Sequence, residues 1–357
     1  MSLTDEQLSI IIPAYNCAHT LPSCLSAIHR ARGDATFELI VVDDGSTDQT
    51  AALAKKWSVA LLEGTNNRGQ GWARNQGASI SKGKYLLFID ADVEVEKDCF
   101  EHVVTFILSD KSRNLSGMQG IFSWRHPFSS WPSLIYNAIQ HFTTRTPAVS
   151  YQANPSFLLI SKETFHEVGG FREDLPYLED VEFSMRLTRT GMPLQRGPVQ
   201  FIHHKSVSWK WLMFCPFTGG RMLRYISKKF SQPSPQHTDA TTPAPARRPA
   251  FPVKSGRNKF LLNCLAIDVI LFTIALASLT IPGSYLRWFL PLSLLPLAIW
   301  HIVQTRILWR VNPSPFFVVS GMIVTLLYPV LAITGMMLSP LLEHQKGDVA
   351  YWKSLRK

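Results

Sequence analysis

The stretch Lys84–Phe100, KYLLFIDADVEVEKDCF, decides how the chain is read. Tyr85 to Ile89 is an unbroken apolar run, the composition of a strand covered on both faces in a parallel sheet. It stops on Asp90 and Asp92 with only Ala91 between them, and Phe100, Val103, Val104 and Ile107 then recur at helical spacing. Two carboxylates so close repel each other unless a cation lies between or beyond them. Hard oxygen donors favour Mg²⁺ or Mn²⁺, and no basic run adjoins these acids to neutralise them. No clustered His and Cys set specifies zinc. The expectation is a strand that delivers acids to a divalent cation whose open positions take phosphate oxygens.

Upstream, apolar runs alternate with helix-like segments. "LSIIIPAYN" reads as a buried strand stopped by Pro13, followed by a helix with Leu21, Leu25 and Ile28 on one face. "FELIVVDDGS" is a second strand, and Ser46 with Gln49 forms a capping-box pattern for a helix running to about Trp57. "SVALLEG" is a third strand and "GQGWARNQGASISKG" a helix. Strand and helix in this repetition imply an α/β fold with a doubly wound, mostly parallel sheet. Beyond residue 117, "GMQGIFSW" and "SFLLISKETF" read as strands with a Trp-containing helix between them. "DVEFSMRLTRTG" is a helix ended by Gly191, and "LQRGPVQFIHH" is a late strand.

In open parallel sheets a ligand lies outside the carboxyl ends of the strands. Three strands here end in chemistry on that edge: "PAYN", "DDGS" and "DAD". Their convergence is the functional signal, because a single acid at a strand end is more often a helix cap.

The chain has 357 residues and a formal net charge of +10. Much of the excess lies between Lys205 and Lys259, just before nearly continuous apolar sequence, which suits a cytoplasmic flank facing anionic lipid. Nucleic acid is excluded as a partner class, since no motif of that kind accompanies the charge. The five cysteines form no CxxC pair, which fits a reducing compartment. Asp5 and Glu6 leave no signal-peptide pattern at the start, so the soluble part is expected in the cytosol. The expected organisation is a catalytic domain over 1–230 and a proline-rich basic linker over 231–258. A transmembrane region over 259–342 and a basic tail over 343–357 follow. Two or three helices fit the transmembrane region, because its middle segment carries Pro291 and Pro296. Asp268 would stand within the first span. The expected location is the inner (cytoplasmic) membrane, multi-pass.

"SIIIPAYN", "VVDDGSTD", "NRGQGWARNQG", "FIDADVEV", "GGF" and "LEDVEFSMRL" occur in an order and spacing that resembles family 2 glycosyltransferases of the GT-A fold, over roughly residues 7–210. The resemblance implies that Asp44 reads the nucleotide base, with Pro13, Ala14 and Tyr15 lining the same pocket and Arg74 near the nucleotide. It implies that Asp90 contacts ribose and metal and that Asp92 is the more direct metal ligand. His203 or His204 would complete the metal shell, a strand-end pair with no ligand role being the alternative. By the same resemblance Asp180 is the catalytic base, Glu179 its helper, and Gly169–Gly170 the turn beside the acceptor. The implied reaction is metal-dependent transfer, with inversion, from a nucleoside-diphosphate sugar to a lipid-linked, glycan or other membrane-associated acceptor, uridine being the favoured base. The QxxRW element of processive polysaccharide synthases is absent, so single transfer is expected; "SVSWKWLMFCPFTGGRMLRY" stands near its place. A sugar nucleotidyltransferase would instead need a Gly-rich phosphate loop at the first strand, where "PAYNCAHTLP" stands. A membrane-tethered nucleotide-sugar binding or assembly subunit without catalysis is the other alternative, and a transporter is disfavoured by so few spans.

Overall fold

Ile10, Ile11 and Ile12 are wholly buried, although successive side chains of a strand point to opposite faces. Both faces of that strand must therefore be covered. The computed structural model describes residues 7–109, 115–145, 149–175, 177–212, 215 and 226. The expected linker, transmembrane region and tail lie outside them. Among the described residues no helix is long and apolar enough to cross a membrane. Residues 7–130 and 139–206 form one unit, and 131–138 with 207–212 belong to a second. In the second, the Val207 backbone N–H donates to Ser133 Oγ at 2.9 Å and the Tyr136 and Trp211 rings meet edge-on at 5.3 Å.

The first unit is built on β1 (Leu8–Ala14), β2 (Glu38–Asp43), β3 (Ala60–Glu63) and β4 (Tyr85–Ile89), joined by α1 (Leu21–Ala31), α2 (Thr50–Ala54) and α3 (Gln70–Ile80). These strands lie in the order β3-β2-β1-β4 and all pair in parallel. Ile10 and Ile12 pack into one core with Leu21, Leu25 and Ile28 of α1 and with Phe100 and Val103. Ile11 faces the other core, with Trp72, Ala73 and Ala78 of α3 and with Phe165 and Phe183.

The second half departs from the expected parallel pattern. β5 (Val93–Val95), α4 (Cys99–Leu108), β6 (Gly117–Phe122), α5 (Trp131–Arg145) and β7 (Val149–Ser150) lead to β8 (Phe157–Ser161), α6 (Lys162–Val168), α7 (Glu179–Leu187) and β9 (Leu194–His203). β8 runs antiparallel to both β4 and β6, β6 pairs in parallel with β9, and β5 and β7 are antiparallel to β9. The sequence carries no mark of this reversal, because a strand buried on both faces reads the same in either direction.

Local signals fared unevenly. The capping box at Ser46 and Gln49 does not form: Ser46 turns onto Asp43, and Gln49 caps α2 without a side-chain bond. Asp48 accepts the Thr50 N–H at 2.9 Å instead, and the helix ends at Ala54 rather than Trp57. "SFLLISKETF" is strand only to Ser161, whose hydroxyl accepts the Thr164 N–H at 3.1 Å and starts α6. α7 yields at Thr188–Thr190 to a 3₁₀ turn closed by Gly191 at φ 73°.

α3 sits so close to β1 that a Cβ on Gly77 would stand 2.3 Å from Ile11 Cγ2. Gly77→Ala is expected to lower stability by about 1–3 kcal/mol through overpacking, read as a lower melting temperature; an unchanged melt would show that this contact relaxes freely.

Candidate active site

β1, β2 and β4 are neighbours and parallel, so their carboxyl ends share one edge. There the Asp44 N–H donates to the Ala14 carbonyl at 2.8 Å, just below partly exposed Tyr15. Asn16, at φ 50°, receives the Thr47 N–H on Oδ1 at 2.8 Å and donates its own N–H to Ser46 Oγ at 2.9 Å. The tips after Pro13–Ala14 and Asp43–Asp44 are thereby tied into one surface.

Asp44 is buried and both its oxygens are used. Oδ1 accepts the Arg68 N–H at 2.8 Å and Oδ2 the Gly69 N–H at 2.7 Å, where Gly69 sits at φ 104°. Burial pushes its pKa up, and the two amides oppose that rise. Asp44 therefore latches the loop that opens α3. Each oxygen retains a second lone pair.

Arg74 is the centre of the site. Its guanidinium is 2% exposed, with Nη2 2.7 Å from Asp90 Oδ1 and Nη1 2.8 Å from Glu179 Oε1. Burial acts to lower its pKa, yet these two carboxylates hold it above the usual range. The local sequence suggested that nothing basic neutralises Asp90; the fold supplies that charge from α3. Its guanidinium carbon also lies 5.4 Å from the centre of the Phe171 ring. Asp90 Oδ2 accepts from Ser156 Oγ at 2.9 Å. Ser156 precedes β8, and its only sequence signal was its place beside an apolar strand.

Asp92 meets the chain from the far end. β5 pairs antiparallel with β9, Val93 opposite His203, and the His204 N–H donates to the Asp92 carbonyl at 2.7 Å. His203 Nε2 then lies 3.2 Å from Asp92 Oδ1. Burial alone would raise the Asp92 pKa, but His203 holds it down to about 2. Ligand atoms of Asp90, Asp92 and His203 all lie within 4.8 Å of one another. His203 Nδ1 is buried without a hydrogen-bond partner. Two carboxylates and an imidazole suit a divalent cation such as Mn²⁺. His204 stands apart from this group, with Nε2 3.0 Å from Glu94 Oε1.

Glu179 and Asp180 open α7, and Leu178 before them is left-handed at φ 62°. Glu179 is spent on Arg74. Asp180 accepts the Val181 N–H at 2.9 Å, and burial, with Glu179 beside it, raises its pKa to about 7. Gly169 and Gly170 form the expected turn, at φ 86° and 65°. Asn75 and Arg186 are the side chains that hold this turn, and nothing in the local sequence marks Asn75. The i, i+4 spacing of Glu182 and Arg186 was the readable signal for the second.

Residues 9–160 match the family model described as Glycosyl transferase family 2. Over 219 residues the chain is 27% identical to "Uncharacterized glycosyltransferase YibD" of Escherichia coli (strain K12), covering 58% of this chain and 56% of that protein. Over 110 residues it is 40% identical to "Dolichyl-phosphate beta-glucosyltransferase" of Dictyostelium discoideum, covering 27% and 34%. The chain thus spans little more than half the length of the first of these relatives. Among solved structures it resembles the mannosyltransferase PcManGT of Pyrobaculum calidifontis, in complex with GDP-Man and Mn²⁺, with 18% identity and a TM-score of 0.57 over 95% of this chain and 88% of that one. That likeness is one of fold, and the fold is of the GT-A kind. In sequence, residues 9–160 are thus similar to glycosyltransferase domains.

Removing one partner of a buried ion pair strands the others, at about 3–5 kcal/mol. Arg74→Met should show a loss of that size in chemical denaturation, and adding Glu179→Gln should recover part of it. A single variant as stable as wild type would contradict the bridging role.

Proposed function

Taking residues 9–160 as a family 2 glycosyltransferase domain, we propose that this chain moves a sugar from a nucleoside-diphosphate donor to an acceptor hydroxyl, with inversion at the anomeric carbon. One observation carries the reading: Arg74 ties the donor-side carboxylate Asp90 to Glu179, the neighbour of Asp180. The phosphate-binding and proton-accepting groups so belong to one cluster.

Asp90, Asp92 and His203 would hold a divalent cation, Mg²⁺ or Mn²⁺. When bound, such a cation supplies positive charge to the departing diphosphate. Arg74 offsets the negative charge of Asp90 and Glu179 behind that site and fixes where Asp90 stands. Pro13, Ala14, Tyr15 and Asp44 would line the nucleotide pocket. Uridine is the favoured base, and guanosine, present in the Pyrobaculum complex, or thymidine is the alternative. The ionised Asp180 takes the proton of the acceptor hydroxyl as its oxygen bonds to the anomeric carbon. The bond from that carbon to the diphosphate breaks, and the diphosphate leaves with the electron pair. A single carboxylate base and direct attack give inversion.

The acceptor side rests on the sequence and one relative. The basic cluster Lys205–Lys259, the apolar region 259–342 and the relative named for dolichyl phosphate support membrane anchoring and a lipid-linked acceptor. Absence of QxxRW supports single transfer.

Asp180→Asn should retain nucleotide binding and lose about 10²–10⁴ in turnover; near-wild-type turnover would remove Asp180 from the mechanism. With its pKa near 7, wild-type turnover should climb as pH rises through about 7, because the working base is the carboxylate. The sign for stability is opposite. A folded-state pKa above the ordinary carboxylate value stabilises the fold at low pH, and this is lost as pH rises through 7. Asp180→Asn should therefore melt above wild type at pH 8 and lose that advantage at pH 5. Asp92→Asn should weaken Mn²⁺-dependent binding of UDP or GDP in calorimetric titration; identical curves with and without the substitution would refute the metal assignment.

A further inference from the structure

The segment Gly169–Asp174 lies directly on α3 and is tied down from three sides. A Cβ on Gly71 would stand 2.7 Å from the Arg172 carbonyl oxygen, and one on Gly170 would stand 2.9 Å from Asn75 Oδ1. Asn75 pairs with the Phe171 backbone in both directions: Nδ2 donates to its carbonyl at 2.7 Å and Oδ1 accepts its N–H at 2.9 Å. Nδ2 also donates to Glu173 Oε1 at 3.0 Å. Glu173 Oε2 lies 3.5 Å from Arg68 Nη2, at the loop that Asp44 latches. From α7, Arg186 donates to the Val168 carbonyl and, at 2.7 Å, to the Gly170 carbonyl, while Glu182 steadies its guanidinium.

One helix therefore touches both halves of the site. α3 begins at the loop held by Asp44, carries Arg74 onto Asp90, and with the very next residue grips the segment that leads into Glu179 and Asp180. We propose that Asn75 is a positioning residue for sugar transfer, holding the acceptor-side segment Gly169–Asp174 in register with the donor-side carboxylates. The inference rests on the transfer reading above. Asn75 bonds the segment's backbone and Glu173, so it acts through the placement of Asp180 relative to the donor. An error of about 1 Å in such placement can cost on the order of a hundredfold in rate.

The test compares wild type with Asn75→Asp in the full chain, measuring kcat, donor KM, the UDP or GDP dissociation constant with Mn²⁺, and the melting temperature. The aspartate keeps an oxygen for the Phe171 N–H but sets a second one against the Phe171 carbonyl. A fall in kcat of about ten- to a hundredfold is expected, with donor KM and nucleotide affinity within about twofold of wild type. Unchanged kcat overturns the inference. So does a proportional fall in kcat and donor affinity that follows a lowered melting temperature, since that marks a merely structural role. Should Asn75→Asp fail to melt cooperatively, Glu173→Ala at the surface carries the test. It should lower kcat by about fivefold, the size of one lost hydrogen bond, at unchanged donor KM; no change overturns the proposal. A wild-type chain that neither binds nor cleaves any nucleoside-diphosphate sugar removes the transfer reading and this inference with it. A working wild type beside an indifferent Asn75→Asp removes this inference alone.

Discussion

The guanidinium of Arg74, buried between Asp90 and Glu179, is the constraint on which the site depends. Burying an ion without partners is expensive, and here one cation compensates two acids. That compensation fixes where α3 must lie against β4 and α7. With Asp90 and Glu179 satisfied internally, Asp92 and Asp180 are the acids whose environments differ most. Asp92 is held down to about 2 beside His203, and Asp180 is raised to about 7 by burial. Two carboxylates pushed apart in this way can divide the labour of holding positive charge and accepting a proton.

The parallel half of the fold was legible because its strands are short apolar runs, each ending in a recognisable tip. "PAYN", "DDGS" and "DAD" lie on one edge as the alternation of strand and helix required. The mixed half was less legible, since Phe157–Ser161 is buried on both faces and carries no mark of its direction. The same holds within the site. Asp90 and Asp92 could be read as a charged pair, but the side chains that face them, Arg74 and His203, arrive through tertiary pairing. Strand register sets His203 rather than His204 beside the two aspartates. Ser156 and Asn75 are small polar residues whose role is set wholly by what they touch.

Glycine supplies the closeness that the polar contacts need. Gly77 lets α3 settle against Ile11, and Gly71 lets the Gly169–Asp174 segment lie on the same helix. Gly169 and Gly170 adopt left-handed backbone that other residues resist, and so turn the chain toward α7. Packing, backbone geometry and charge thus converge on one helix, and the chemistry is placed at its edge.

The central claim is that Asp90 and Asp92, which follow β4, and His203 at the end of β9 jointly hold a cation that grips a diphosphate. It is tested most directly by anomalous X-ray scattering from crystals of the chain grown with Mn²⁺ and UDP or GDP. The account predicts a manganese peak at coordinating distance from Asp90, Asp92 and His203, with the diphosphate on its open side and Arg74 still on Asp90. A well-ordered nucleotide with no metal at that position, or with the metal elsewhere, would contradict it.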